Sequence, residues 1–534
     1  MTKTRMFFQV AALSLVMTGA AGVASAQTPP PSPTAPTTPQ APQDRYVVGQ
    51  AKPPEVPGSP VLNITLEEAI QRALDRNLDL KVQKLNPQIA DYQLQQTRAF
   101  YRPTFTGTAR YNNASSTNTN TQEGQSTVTQ TGQTYNASAS LPVQWYGGNA
   151  NIAFNNGRTF TNSTLSTRPL NYSASLQFTY TQPVLHNFKT DSTRVSLKTQ
   201  EILRQISDVN LKTTLMNTVA QVRNAYWDLR AAIENIEINR RAVDLAKSFV
   251  DQNRTKVEVG TLAQIDVIQA ESQEANAELS EVQAESTWRT AELTFKRLIA
   301  ASADDDAYKA TINPTDLPAV APPTVDIQAA ITTALSQRTD LVVQRKNLES
   351  SLLNVALLEN ATLPDLNLTG GYSAAGVGGP IINRQTNVST GAGYSDALSQ
   401  IFGLNTPTWN IQANFTYPLG MAAAKANLAR TRLTLEQSQT QLKAQELTVA
   451  TDLTNAGLQV QSSYKALLAA QKARELADRQ ADAEQTKFEV GMSTNFTVVQ
   501  QQQAMTSART AELRALLTYI KALIEFDRLQ NVGR

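Results

Sequence analysis

The segment YSASLQFTYTQP, residues 172–183, decides the fold, because it alternates residue by residue. Tyr172, Ala174, Leu176, Phe178 and Tyr180 fall on one side of an extended chain, and Ser173, Ser175, Gln177, Thr179 and Thr181 on the other. A strand repeats every two residues, so this one has an apolar face and a polar face. Three further segments behave alike. Phe105, Gly107, Ala109 and Tyr111 alternate with Thr104, Thr106, Thr108 and Arg110. Leu366, Leu368, Gly370 and Tyr372 alternate with Asn367, Thr369 and Gly371, and Ile411, Ala413, Phe415 and Tyr417 with Gln412, Asn414 and Thr416. Each is about ten residues long, the length of a tilted transmembrane strand. The apolar sides would then face lipid and the polar sides a lumen. The alternative is a small soluble sheet with its apolar side against a core. Four strands cannot close a barrel alone, so the membrane reading requires an oligomer that shares one barrel.

Around these strands the chain reads as very long helix. Residues 190–257 contain no glycine or proline, and 422–488 contain only Gly457. At 1.5 Å per residue each such helix is roughly 100 Å long, in the range of coiled coils. The seams are visible: Val219, Val222, Tyr226, Leu229, Ile233 and Ile236 step by three and four, as do Leu453, Gly457, Val460, Tyr464 and Leu467. Such a seam supercoils left-handedly against a neighbour. The returning helices, 262–300 and 494–530, leave a shortfall that the shorter helices 65–100 and 325–361 fill, so two stacked short helices run beside each long one.

The plan occurs twice. ITLEEAIQRALDRNLDLKVQKLN (64–86) aligns without gaps on VDIQAAITTALSQRTDLVVQRKN (325–347), and the same register carries Pro103 onto Pro364 and Tyr111 onto Tyr372. KVEVGTLAQIDVIQ (256–269) aligns on KFEVGMSTNFTVVQ (487–500). Between these blocks the first half carries about thirty extra residues, and a two-fold repeat of this size marks a scaffold. The excess reads as one more hairpin: Tyr135, Ala137, Ala139, Leu141, Val143 and Trp145 alternate, YGGN turns, and Ala150, Ile152 and Phe154 alternate. Six strands per protomer and a hairpin lying outside the membrane (135–165) both fit this pattern.

The chain begins MTKTR, followed by an apolar stretch from Met6 to about Val23 and by Ala24-Ser25-Ala26, the pattern of a secretory signal peptide over 1–26. A Pro- and Thr-rich leader, 27–61, cannot bury a core and is expected to be disordered. The first structural repeat is expected over 62–300, an equatorial linker over 301–324 and the second repeat over 325–534. The 534 residues contain no cysteine and one histidine, His186, and the net charge is +2. Disulfides, thiolate metal sites and His-based catalysis are thereby excluded or nearly so, and nucleic-acid binding is disfavoured. No nucleophile elbow, metal cluster or phosphate loop is present, so no enzyme and no cofactor are expected. Asp304-Asp305-Asp306 reads as a solvated loop rather than a calcium site, and His186 as an interfacial or capping residue.

The doubled helix–strand–strand–helix plan, the ITLEEAIQRAL opening, the TQPVL strand end and the paired VEVG and FEVG breaks resemble the TolC-like outer membrane efflux proteins, the outer membrane factors of tripartite efflux and type I secretion systems. The resemblance covers about 62–530. It implies a mixed α and transmembrane β-barrel fold: a homotrimer with four strands per protomer in a shared twelve-stranded barrel, continued by a helical, coiled-coil tunnel across the periplasm. It also implies a passive exit duct in the outer membrane lipid, fed by an inner-membrane pump through a periplasmic adaptor, for drugs, other small molecules or secreted proteins. By resemblance Val259-Gly260-Thr261 and Val490-Gly491-Met492 lie at the periplasmic tip, where adaptors dock; as residues alone, the glycines suit any tight helix reversal. In the family, aspartates six and nine residues after the second glycine narrow the tip. Here those places hold Thr497 and Gln500, while Asp266 matches the first-half acidic position. Thr497, Gln500 and Gln501 could narrow the bore without an acidic double ring, and Asp266 joins the gate, caps its helix or sits in solvent. The competing class is a surface-exposed structural or adhesive coiled-coil protein, a stalk that needs neither the duplication nor the strands.

Overall fold

The structure, a computed structural model, describes residues 51–530 apart from 120, 319, 384, 385 and 387. The signal-peptide reading of 1–26 and the leader reading of 27–50 lie outside the described residues. Residues 51–61 are not a disordered leader: Ala51 is buried against the helices, its N–H 3.1 Å from Glu234 Oε1, and its carbonyl accepts Arg230 Nη1.

The first half runs β1 (Val61–Ile64), α1 (Leu66–Arg76), α2 (Leu78–Arg98), β2 (Thr104–Thr117), β3 (Thr127–Pro142), β4 (Asn149–Thr161), β5 (Leu170–Pro183), α3 (Ser192–Glu258) and α4 (Gln264–Ile299). α5 (Asp306–Lys309) and β6 (Thr311–Pro314) follow. The second half runs α6 (Ile327–Gln337), α7 (Thr339–Asn360), β7 (Asp365–Gly378), β8 (Ile381–Asn383), β9 (Val388–Thr390), α8 (Tyr394–Phe402), β10 (Pro407–Thr416), α9 (Ala422–Glu489) and α10 (Asn495–Gln530).

Local chemistry sets the helix ends. A capping box opens α1: the Thr65 hydroxyl accepts the Glu68 N–H, and the Glu68 carboxylate accepts the Thr65 N–H, each at 3.3 Å. The helices expected over 65–100 and 325–361 are each two helices, broken at Asn77 and Arg338, where ψ swings to 124° and 128°. Asn77 supports the break with its side chain. Its Oδ1 accepts the Leu80 N–H at 2.9 Å, and its Nδ2 donates to the Leu298 carbonyl at 3.1 Å. Pro103 and Pro364 then mark the change from helix to strand, since proline cannot donate the next helical hydrogen bond.

α1, α2 and α4 pack along α3, and α6, α7 and α10 along α9. The heptad seams are the buried lines: Val222, Tyr226, Leu229, Ile233 and Ile236 in α3, and Leu453, Val460 and Leu467 in α9. Gly457 is small for a reason of packing, because a Cβ there would lie 2.7 Å from Ile327 Cγ1. At mid-length, β1 and β6 pair in parallel, Val61 opposite Thr311 through Ile64 opposite Pro314, and close the junction between the halves over the α3 core.

The long strands form one six-stranded antiparallel sheet in the order β10-β7-β5-β4-β3-β2. The extra hairpin, β3–β4, is therefore a full member, inserted between β2 and β5. The sheet of one protomer thus has six strands, where the family resemblance implies four and the sequence alone left both arrangements open. Alternation could not decide this, because it reports which way a side chain points and not which strand lies beside it.

Candidate functional site

The sheet has two faces of opposite character, and the pairing keeps them coherent across all six strands. Along one row Phe105 lies beside Ala139, Ala139 beside Ile152, Ile152 beside Phe178, Phe178 beside Tyr372 and Tyr372 beside Trp409. A neighbouring row on the other face reads Thr104, Ser140, Asn151, Thr179, Gly371, Asn410. A slip of one residue in any pair would mix these rows. The apolar face is bare over much of its area: Phe105 is 81 % exposed, Trp409 74 % and Ile411 76 %. A bare apolar surface of this extent marks an interaction site.

The outer end of that face is partly covered. Helix α8 buries Ala397 and Ile401 against Ala174 and Ala374, and Gly376 and Gly378 lie directly beneath its backbone. Gln400 donates to the Val377 carbonyl at 3.0 Å and accepts the Val377 N–H at 3.1 Å, which occupies the part of the β7 edge that β10 does not reach. The outermost strands, β2 and β10, are exposed along their whole length, and each has a single strand neighbour. Open edges of this length are templates for another chain.

At the far ends of α3 and α9 the chain reverses twice. Gly260 and Gly491 have φ of +79° and +78°, and a Cβ on either would meet nothing within 4 Å, so the backbone conformation and not space selects glycine. Thr261 N–H reaches the Lys256 carbonyl and Met492 N–H the Lys487 carbonyl, each at 2.8 Å, the closing bond of a Schellman turn. The two turns are held together. Asn253 Nδ2 donates to Asn495 Oδ1 at 2.8 Å, and Asn495 Nδ2 to the Asp266 carbonyl at 3.0 Å. Lys256 Nζ donates to the Phe488 carbonyl and sits 3.6 Å from the centre of its ring. Phe249, Val250, Phe488 and Val498 pack beneath.

The site residues marked in the sequence separate here. The Asp266 carboxylate accepts the Ala263 N–H at 3.2 Å and so caps α4. The Thr497 hydroxyl lies 2.8 Å from that of Thr494, which caps α10. Gln500 is exposed and Gln501 half-buried, while Val259, Val490 and Met492 are exposed at the turns. Among the described residues no cluster of acidic or histidine side chains could hold a metal ion, and no helix is long and apolar enough to cross a membrane.

Sequence reasoning missed the clasp at mid-length. The Tyr226 hydroxyl accepts the Asp316 N–H at 3.0 Å and donates toward Asp316 Oδ2 at 3.2 Å; burial raises its pKa well above the ordinary tyrosine value, so it stays protonated. Arg230, buried with Glu234 at 3.2 Å, donates to the Pro314 carbonyl at 2.9 Å. The one signal for it was the pair of short β-branched runs VLNI and TINP, too short for periodicity.

A family model described as "Outer membrane efflux protein" matches residues 69–301 and 330–531, most of both repeats. The chain belongs to the outer membrane efflux protein family. The outer membrane protein TolC of Vibrio cholerae is 24 % identical over 341 residues, covering 62 % of this chain and 72 % of its own length. The fold is similar to the CmeC outer membrane channel of Campylobacter jejuni, with TM-score 0.62, 17 % identity and coverage of 87 % of this chain and 85 % of that one. It is also similar to CusC, with TM-score 0.64, 15 % identity and coverage of 88 % and 92 %. MtrE of Neisseria gonorrhoeae, solved in an open state, aligns at TM-score 0.57 and 17 % identity over 91 % and 96 %. As an outer membrane efflux protein the chain is a channel component.

Proposed function

We propose that three copies of this chain form the outer-membrane exit duct of a tripartite efflux or type I secretion system. The observation that carries the reading is the sheet: one apolar and one polar face in register over six strands, with both edges open. In a bilayer an unpaired backbone group costs several kcal/mol, so a spanning sheet must close on itself. Pairing β10 of one copy with β2 of the next closes it, places the apolar face in lipid and leaves the polar face lining water. The helices, roughly 100 Å long, continue the duct into the periplasm.

At the other end the turns serve as the docking tip for a periplasmic adaptor, itself bound to an inner-membrane pump. Val259, Gly260 and Thr261 with Val490, Gly491 and Met492 form that surface; its exposed Val259, Val490 and Met492 side chains offer apolar contacts. Gln500, with Thr497 and Gln501, narrows the bore, while Asp266 keeps its charge but is held by the cap it makes. The test is oligomeric mass in detergent together with single-channel conductance in planar bilayers. A trimer with discrete current steps is expected. A monomer without conductance, extractable without detergent, overturns the duct and leaves the surface stalk.

A further inference from the structure

We infer that the β3–β4 hairpin spans the membrane and enlarges the shared barrel to eighteen strands, giving a wide, nearly uncharged outlet suited to bulky hydrated cargo. The inference rests on the trimeric-barrel reading and goes beyond the twelve strands that the family resemblance implies.

Four observations place the hairpin in the wall. Its strands are 16 and 13 residues long, more than the roughly 10 that a tilted membrane strand needs. It is paired on both sides, β3 with β2 and β4 with β5, so it lies within the sheet and not beside it. Toward the helix end its faces match those of its neighbours: Ala139 and Ile152 continue the row of Phe105 and Phe178, and Ser140 and Asn151 the row of Thr104 and Thr179. Its turn is anchored where β5 meets α3. Tyr146 stacks on Phe188 at 4.6 Å, and Gln182 Nε2 donates to the Tyr146 carbonyl at 2.7 Å. An aromatic cluster at that level belongs to a membrane–water boundary.

Width supplies the fifth argument. The helices that meet the sheet contact one another in the order α2, α3, α7, α9, the order of the strands they join. Four helices side by side, at roughly 9–10 Å each, take about 38 Å of circumference. Four strands spaced ~4.8 Å and tilted ~40° take only about 25 Å, but six take about 38 Å. Six strands thus sit on four helices without a step. For the trimer this is about 110 Å of wall and a backbone diameter of about 35 Å, against about 24 Å for twelve strands.

Little in that wall selects by charge. Arg110, Arg158 and Asp365 are the only charged residues in the six strands. Arg158 lies on the apolar face at the outer end, where a long side chain reaches the headgroups. Arg110 and Asp365 lie on the polar face, Asp365 at the helix end of β7. The rest of the lining is Asn, Ser, Thr, Gln and small residues, which hold water and bind nothing tightly.

Because the chain has no cysteine, single-cysteine variants test the wall directly. Ile152→Cys, Asn151→Cys and, as a control on β5, Phe178→Cys are labelled with a fluorophore and reconstituted with lipids carrying a quencher on the acyl chain. Quenching of Ile152→Cys to the extent of Phe178→Cys is expected, with Asn151→Cys unquenched and reactive toward a water-soluble maleimide. Quenching of Phe178→Cys but not Ile152→Cys would put the hairpin outside the membrane and overturn the inference, leaving the barrel. Loss of quenching at both positions would overturn the barrel itself. Particle images of the purified trimer give the strand count: eighteen supports the inference, and a trimer with twelve refutes it.

Discussion

Two adjacent residues provide a sharp test of which side of the sheet meets lipid. Phe178 lies on the apolar face between Ile152 and Tyr372, and Gln177 on the polar face between Ala153 and Ser373. Phe178 is about five residues from the helix end of β5, or ~13 Å along the membrane normal, near the middle of a ~25 Å apolar band. Replacing it by lysine removes about 2 kcal/mol of apolar transfer and adds about 2–4 kcal/mol for a cation at mid-depth. Phe178→Lys should therefore cost about 4–6 kcal/mol per protomer, a large part of a total stability of roughly 5–15 kcal/mol. Gln177→Lys places the same charge in water and should stay within about 0.5 kcal/mol. Urea midpoints for folding into vesicles, or the temperature at which the oligomer dissociates in SDS, read the difference. Equal and mild effects would mean that neither face meets lipid. Greater damage from Gln177→Lys would mean that the faces are inverted, and the barrel would have to be rebuilt with its apolar side inward.

Other outcomes follow from the tip and from the Asp305 cap of α5. Gly260→Ala and Gly491→Ala fit sterically but force a side chain into a left-handed conformation, costing about 1–2 kcal/mol each; hydrogen exchange should quicken at the turns while the global unfolding midpoint hardly moves. Gln500→Asp would add three carboxylates to the trimer at an exposed position, so the reversal potential in a salt gradient should shift toward cation preference; no shift would remove Gln500 from the constriction. Asp305 accepts the Ala301 and Ala307 N–H groups and pairs with Arg76, which holds its pKa below the usual carboxylate value. Its contribution is thus present above the unfolded carboxylate pKa near ~4 and lost as pH falls through the lower folded value. Asp305→Asn should lower the melting temperature at neutral pH, and the gap to the parent chain should close under acid.

What the sequence disclosed and what it hid divide along a physical line. Properties carried by one segment were legible. The alternation of 172–183 gave its two faces, the seam from Val222 to Ile236 gave the buried stripe of α3, and Pro103 and Pro364 gave the change from helix to strand. Properties that depend on a distant partner were not. The pairing of Val61–Ile64 with Thr311–Pro314 links positions about 250 apart, and four residues carry no usable period. The breaks at Asn77 and Arg338 have no glycine or proline to announce them, while Pro87, which a local rule reads as a breaker, lies inside α2. The tip shows the same division. Asp266 and Thr497 look free as letters, yet each is engaged in capping the helix it begins, whereas nothing local engages the exposed Gln500. On the proposed constriction, which side chains remain uncommitted after the helix ends are satisfied would set the bore, and Gln500 is one of them.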